Sequence, residues 1–175
     1  MRVMVLAVGV AIGAQAHAAR PADPSMAASH AKPMRLWYQS PAADSVQGWL
    51  DQSLPLGNGY FGVNVFGGVA RERLQITENS LVDTPTDGIG GLNNFAEVAL
   101  EFPHAAPQDY SRDLDLDTGT AHVCYRDGGV VFTREYFTSY PDRVMAIRLV
   151  ASRPGALDFT LRPKAPYLTP FRRTE

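Results

Sequence analysis

The sequence predicts an antiparallel β-sandwich, and three observations carry that prediction. Apolar and polar residues alternate with period two through most of the chain, the signature of half-buried strands. Gly 15 and Pro 13 break the pattern at short intervals, which suits strands joined by turns and disfavours a helical bundle. Hydrophobic residues make up 45% of the 175, the ordinary share for a chain with a packed core. Charge narrows the partners. Lys and Arg number 16 against 18 Asp and Glu, so neither nucleic acid nor an anionic membrane finds the dense basic footprint it needs.

The N-terminus reads as an address. Arg2 is a short positive region, Val3 to Gly13 is apolar, and Ala16-His17-Ala18 supplies small residues at the cleavage positions. This is the pattern of a secretory signal over residues 1–18, and it predicts export to the periplasm or the extracellular space. The apolar run is too short to span a bilayer. Residues 19–33 are mostly Ala, Pro, Ser and Asp and read as a flexible leader before a domain over 34–175. Cys124 is the single cysteine, so no disulfide framework and no multi-cysteine metal site is expected within this chain. It reads as a buried or half-buried inert thiol, with no His or Asn arrangement nearby in sequence to activate it.

Strands follow in order. Gly59 to Phe66 mixes apolar residues with Gly and Asn and breaks at Gly67-Gly68. Glu72 to Leu81 alternates, with Leu74, Ile76 and Glu78 on one face. Phe95 to Phe102 fits a short helix or a strand. Asp113 to Asp117 reads as a strand with Leu114 and Leu116 inward and the acids outward. Thr120 to Arg126 places Ala121, Val123 and Tyr125 on one face, and Asp127-Gly128-Gly129 predicts a tight hairpin to a strand over Val130 to Thr138. Val144 to Val150 is a further strand after the Pro141-Asp142 turn, and Leu157, Phe159 and Leu161 mark one more.

Most candidate chemistry fails on context. Gly57-Asn58-Gly59-Tyr60-Phe61-Gly62 spells a dinucleotide fingerprint, but no strand precedes it and no helix follows to meet a pyrophosphate. The glycines read instead as a tight turn at the start of a strand. A calcium loop counted from Asp113 would need Gly at its sixth position and Glu at its twelfth, where Thr118 and Cys124 stand. The histidines make no zinc spacing, and no metal or cofactor is expected. Glu72, Glu78, Glu97 and Glu101 are the clustered carboxylates. A glycosidase pair needs about 5–5.5 Å or about 6.5–9.5 Å between carboxyls, and the default for strand glutamates is a solvated face. Trp37, Tyr38 and Trp49 suit either sugar stacking or core packing, the commoner fate. The most unusual segment is Glu78-Asn79-Ser80-Leu81 followed by a Gly-, Pro- and Asn-rich stretch over 82–94. Long structureless loops are uncommon and often functional, and amides offer both donors and acceptors to hydroxyl-rich ligands. Glu78, Asn79, Asn93 and Asn94 are therefore the candidate substrate-rim residues.

Several blocks in order carry a resemblance: Leu36-Trp37-Tyr38 with Pro41-Ala42; Leu54-Pro55-Leu56-Gly57-Asn58-Gly59; Val65-Phe66-Gly67-Gly68; and Leu74-Gln75-Ile76-Thr77-Glu78-Asn79-Ser80-Leu81. Asp109-Tyr110-Ser111-Arg112 with Leu114-Asp115-Leu116, then Thr133-Arg134-Glu135-Tyr136-Phe137 and Ser139-Tyr140-Pro141-Asp142, complete the set. Together they resemble the N-terminal domain of glycoside hydrolase family 95, which holds α-L-fucosidases and some α-L-galactosidases. The resemblance runs from about Met34 to about Leu161. It implies a supersandwich-like N-terminal domain, a linker, an (α/α)6 catalytic barrel and a C-terminal β domain. It also implies inverting hydrolysis of terminal α-L-fucosyl or α-L-galactosyl bonds, with a Glu as general acid and an amide- and Asp-assisted water as nucleophile. Those residues belong to the barrel, so no catalytic residue is expected in this chain. One departure stands out: Val82 follows the Glu-Asn-Ser-Leu block where family members often have tryptophan.

Two functional classes follow. The first is the N-terminal domain of an exported hydrolase acting on a fucosylated or related glycan, packed in the longer protein against its own catalytic barrel. The second is a free-standing sandwich that binds glycans. A sugar-phosphorylase domain is a weaker third. The tail from Tyr167 to Glu175 offers no closing strand, which predicts an incomplete sandwich and favours the first class; an ordinary ragged tail is the alternative.

Overall fold

A computed structural model describes residues 5–10, 34–83 and 91–165. Its elements are β1 (Val5–Val10), β2 (Arg35–Tyr38), α1 (Val46–Asp51), β3 (Leu54–Gly57), β4 (Phe61–Val65) and β5 (Arg71–Asp83). Then come β6 (Gly91–Glu101), β7 (Gln108–Asp115), β8 (Thr120–Asp127), β9 (Val130–Ser139), β10 (Val144–Ala151) and β11 (Thr160–Lys164). The strands form two sheets. The first is six-stranded in the order β1-β10-β9-β8-β7-β2, and the second is five-stranded in the order β11-β6-β5-β4-β3. Every pairing is antiparallel except β1 on β10. This is the mainly β sandwich that the alternation predicts.

Alternation becomes a core because each strand sends every second side chain inward. From the first sheet come Ala121, Val123, Tyr125, Phe132, Tyr136, Met145, Ile147 and Leu149; from the second, Leu54, Leu56, Val63, Val65, Leu74, Ile76, Val98 and Leu100. Each fully buried aliphatic side chain contributes about 1.5–3 kcal/mol of transfer free energy, so this shared face is the main force holding the sheets together. The β8–β9 hairpin turns at Gly128 and Gly129, with φ of 54° and 77°. Two consecutive left-handed residues make the primed turn that matches strand twist.

Several sequence expectations are corrected. Phe95 to Phe102 is not helical: residues 95–101 belong to β6. The one helix among the described residues is α1, which the strand pattern passed over; the Ser45 side chain caps it by accepting from the Gly48 N–H at 3.0 Å. Leu116 lies beyond the end of β7 and is exposed, because the chain turns at Asp115. Leu157 and Phe159 precede the last strand and pack partly on the core, while β11 itself is exposed along its length. The stretch over 82–94 is less of a loop than expected, since β5 runs to Asp83 and β6 starts at Gly91; residues 84–90 lie outside the described ones. The apolar segment assigned to an export signal holds β1, which runs parallel to β10 at the sheet edge.

Glu72 is the sharpest correction. The solvated strand face expected for it is instead the centre of the sandwich, where it is fully buried. One carboxylate oxygen accepts from the N–H groups of Gly67 (2.7 Å) and Arg73 (3.1 Å). The other accepts from Tyr136 Oη (2.7 Å) and Arg134 Nη1 (3.2 Å) across the sheets. Arg134 also donates to Gly68 O, Val69 O and Tyr125 Oη, and Tyr125 Oη meets His104 Nδ1 at 2.8 Å. Burial opposes the charge on Arg134, but Tyr136, Glu72 and Tyr125 outweigh it and hold its pKa above the ordinary range. Burial, with the Glu72 charge behind it, raises Tyr136 well above an ordinary phenol.

Candidate functional site

The rim candidates sit where β5 parts from β6. Thr77 pairs with Asn94, and the next pair is Val82 with Leu92, so residues 78–81 of β5 face only residue 93 of β6. This bulge turns the β5 backbone toward β4: Glu78 pairs with Phe61, and the Asn79 N–H donates to Tyr60 O at 2.9 Å. Bulges of this kind re-aim side chains.

The four candidates do not act alike. Glu78 is half-buried, and one carboxylate oxygen braces the bulge by accepting from the Ser80 N–H and the Ser80 hydroxyl. Asn79 is exposed, and its Nδ2 donates to Gly59 O at 3.1 Å. Asn94 is half-buried; with its nitrogen turned to the backbone it donates to Ala96 O at 3.0 Å and Ile76 O at 3.2 Å. That orientation satisfies its donors locally. Asn93 lies on β6, with its side chain outside the described residues.

Beside Asn79 the structure places groups that sequence reasoning did not single out. A shallow cavity of about 200 Å³ is lined by Gly59, Tyr60, Phe61, Gly62, Thr77 and Asn79. Its floor is the β3–β4 hairpin, in which Gly57 faces Gly62. The fingerprint-like glycines thus serve a strand–turn–strand. Asn58 holds this hairpin in place. Its Oδ1 accepts from the N–H groups of Tyr60 (3.0 Å) and Phe61 (3.1 Å), and its Nδ2 donates to Ser139 O at 2.8 Å. That last bond ties the β3–β4 turn of one sheet to the β9–β10 turn of the other. Tyr140, 65% exposed on that turn, consequently stacks on Tyr60 with ring centroids 5.5 Å apart. The Arg143 guanidinium lies 4.2 Å from the Tyr60 ring centre. Ser139-Tyr140-Pro141-Asp142 is legible as a turn, but its nearness to Gly59 is a property of the sandwich.

The other candidates are structural. Glu97 pairs with Arg73 at 2.6 Å and Glu101 with Arg162 at 2.5 Å. Tyr38 packs under the Arg112 guanidinium at 4.2 Å, Trp37 is exposed on the edge strand β2, and Trp49 is half-buried on α1. Cys124 is half-buried. Among the described residues no group of His, Cys, Asp and Glu is placed to hold a metal ion, and no helix is long and apolar enough to cross a membrane.

Comparison with known proteins agrees with this architecture. The profile of the glycosyl hydrolase family 65 N-terminal domain matches residues 36–86 and 82–170 in two overlapping segments. A curated relative, α-L-fucosidase 2 of Arabidopsis thaliana, is 29% identical over 168 residues, covering 73% of this chain and 19% of the relative. The chain therefore spans about a fifth of the length of the relative it matches.

Proposed function

This chain belongs to the family of glycosyl hydrolase family 65 N-terminal domains, and from that premise we propose that it is the N-terminal sandwich of an exported α-L-fucosidase-like hydrolase. The observation that carries the reading is the likeness to α-L-fucosidase 2 across most of the sandwich. The longer protein removes terminal α-L-fucosyl or α-L-galactosyl groups from glycans, with its acid and base on a catalytic barrel that packs against this domain. Membership of glycoside hydrolase family 95 fits both the likeness and the ordered blocks from Leu36 to Asp142. Glu78, Asn79, Asn93 and Asn94 line the substrate rim from the sandwich side, and the signal over residues 1–18 directs the enzyme out of the cytoplasm.

The role of this domain is positional. A rigid sandwich presents a bulged strand end, and side chains held by packed strands keep a site better ordered than side chains on a free loop. The test is to read the gene beyond the codon for Glu175 and to express its full product. Release of nitrophenol from 4-nitrophenyl α-L-fucopyranoside or the matching α-L-galactoside is the expected result. A full-length product that hydrolyses neither overturns the reading.

A further inference from the structure

We propose that the cavity between the β3–β4 hairpin and Asn79 is a pyranose-binding subsite with Tyr140 as its outer wall, and that its ligand is a neutral sugar ring with a continuous C–H face. The inference rests on the glycoside-hydrolase reading and gives this domain a binding site of its own. Four features support it. The cavity, about 200 Å³, is bordered by Gly59 of the hairpin and Asn79 of the bulge, which the Asn79–Gly59 bond ties together. Its floor is bare backbone: a Cβ on Gly62 would come within 3.1 Å of Thr77 Oγ1, and Gly59 adopts φ +82° with Tyr140 Cε2 4.0 Å from where its Cβ would stand. The polar groups around it are an amide and a hydroxyl, Asn79 and Thr77, which pair with sugar hydroxyls as both donor and acceptor. Tyr140 and Tyr60 supply an aromatic wall held in position from the opposite sheet through Asn58 and Ser139.

The wall explains the ligand class. Tyr140 leaves most of its surface in water, although its ring already stacks on Tyr60. An aromatic ring offers an apolar face and attracts the weakly positive C–H groups of a pyranose. L-fucose and D-galactose each carry such a C–H face together with hydroxyls at its margin. A charged sugar is not required, because Arg143 is engaged on Tyr60 and one Glu78 oxygen is taken by Ser80.

Saturation-transfer NMR on the full chain with L-fucose, and separately with D-galactose, tests this. Transfer is expected for at least one sugar, strongest at the protons of its C–H face. Tyr140→Ala, at an exposed position, should reduce the transfer roughly threefold to tenfold, the size of one lost stacking contact. Gly62→Ala should abolish it by filling the floor. Asn79→Ala should weaken the hydroxyl-side protons while the far-ultraviolet circular dichroism stays that of the parent. No transfer from either sugar overturns the proposal, and so does transfer that survives both Tyr140→Ala and Gly62→Ala. Either failure leaves the hydrolase reading untouched, since that reading stands or falls on turnover by the longer protein.

Discussion

Glu72 carries the largest single consequence of a side chain in this molecule. Its partners are Arg134 and Tyr136 from the facing sheet, and all of them are removed from water. Breaking such a pair leaves an unpaired charge inside, at a cost of roughly 3–5 kcal/mol. Glu72→Ala is therefore expected to lower the urea midpoint sharply or to prevent folding. Adding Arg134→Met should recover part of the loss, since apolar replacement of a buried pair is often neutral. Equal stability of Glu72→Ala and the parent would contradict this account. His104 gives a pH dependence. Burial lowers its pKa below the ordinary 6.5; the nearby carboxylates of Asp127 and Asp158 oppose this shift in part, and Arg134 adds to it. A depressed histidine favours the folded state above the unfolded pKa, and that stability is lost as pH falls through the folded value. Urea midpoints are expected to drop between about pH 6.5 and the folded pKa, and His104→Gln should flatten that portion of the curve.

At the scale of elements, the β8–β9 hairpin and the β5–β6 pair contrast. The hairpin is legible because Asp127-Gly128-Gly129 demands a turn with positive φ. Gly129→Ala should cost about 1 kcal/mol, read from thermal denaturation, because an L side chain is disfavoured in the left-handed region. A stabilised variant would show that the turn has another conformation. The β5–β6 pair is less legible. Its register shifts between Ile76 and Val82, and nothing in the alternation announces a bulge, since period two continues on either side of it. Helix α1 escapes the pattern for a related reason: six residues are too few for a helical period to rise above strand-like noise.

For the whole molecule, edges decide behaviour. Both edges of the second sheet carry proline, Pro55 on β3 and Pro163 on β11, which removes a donor and blunts pairing with another chain. The edges of the first sheet, β1 and β2, have none, and β2 exposes Leu36 and Trp37. This chain alone is expected to self-associate through the first sheet, with sedimentation showing mass above the monomer. Trp37→Lys should reduce it, because an edge lysine opposes strand addition. A monomer at every concentration would count against an open edge. The same chain is expected to release nothing from aryl α-L-fucosides.

The sequence by itself determined the class of fold, most strands, the hairpin glycines and the likeness to a hydrolase N-terminal domain, because these depend on local period, turn chemistry and ordered blocks. It also pointed to the Glu78-Asn79 segment, through its polar composition. Only the tertiary structure decided that Glu72 is a buried link between sheets, that Asn94 spends its amide on backbone carbonyls, and that Tyr140 stands beside Tyr60. Period two assigns a residue to one of two faces but does not say which face is covered. Nor does it say which turns of separate sheets meet at one end of a sandwich. Those contacts join residues as far apart in the chain as Asn58 and Ser139, and only the packing of two sheets brings them together.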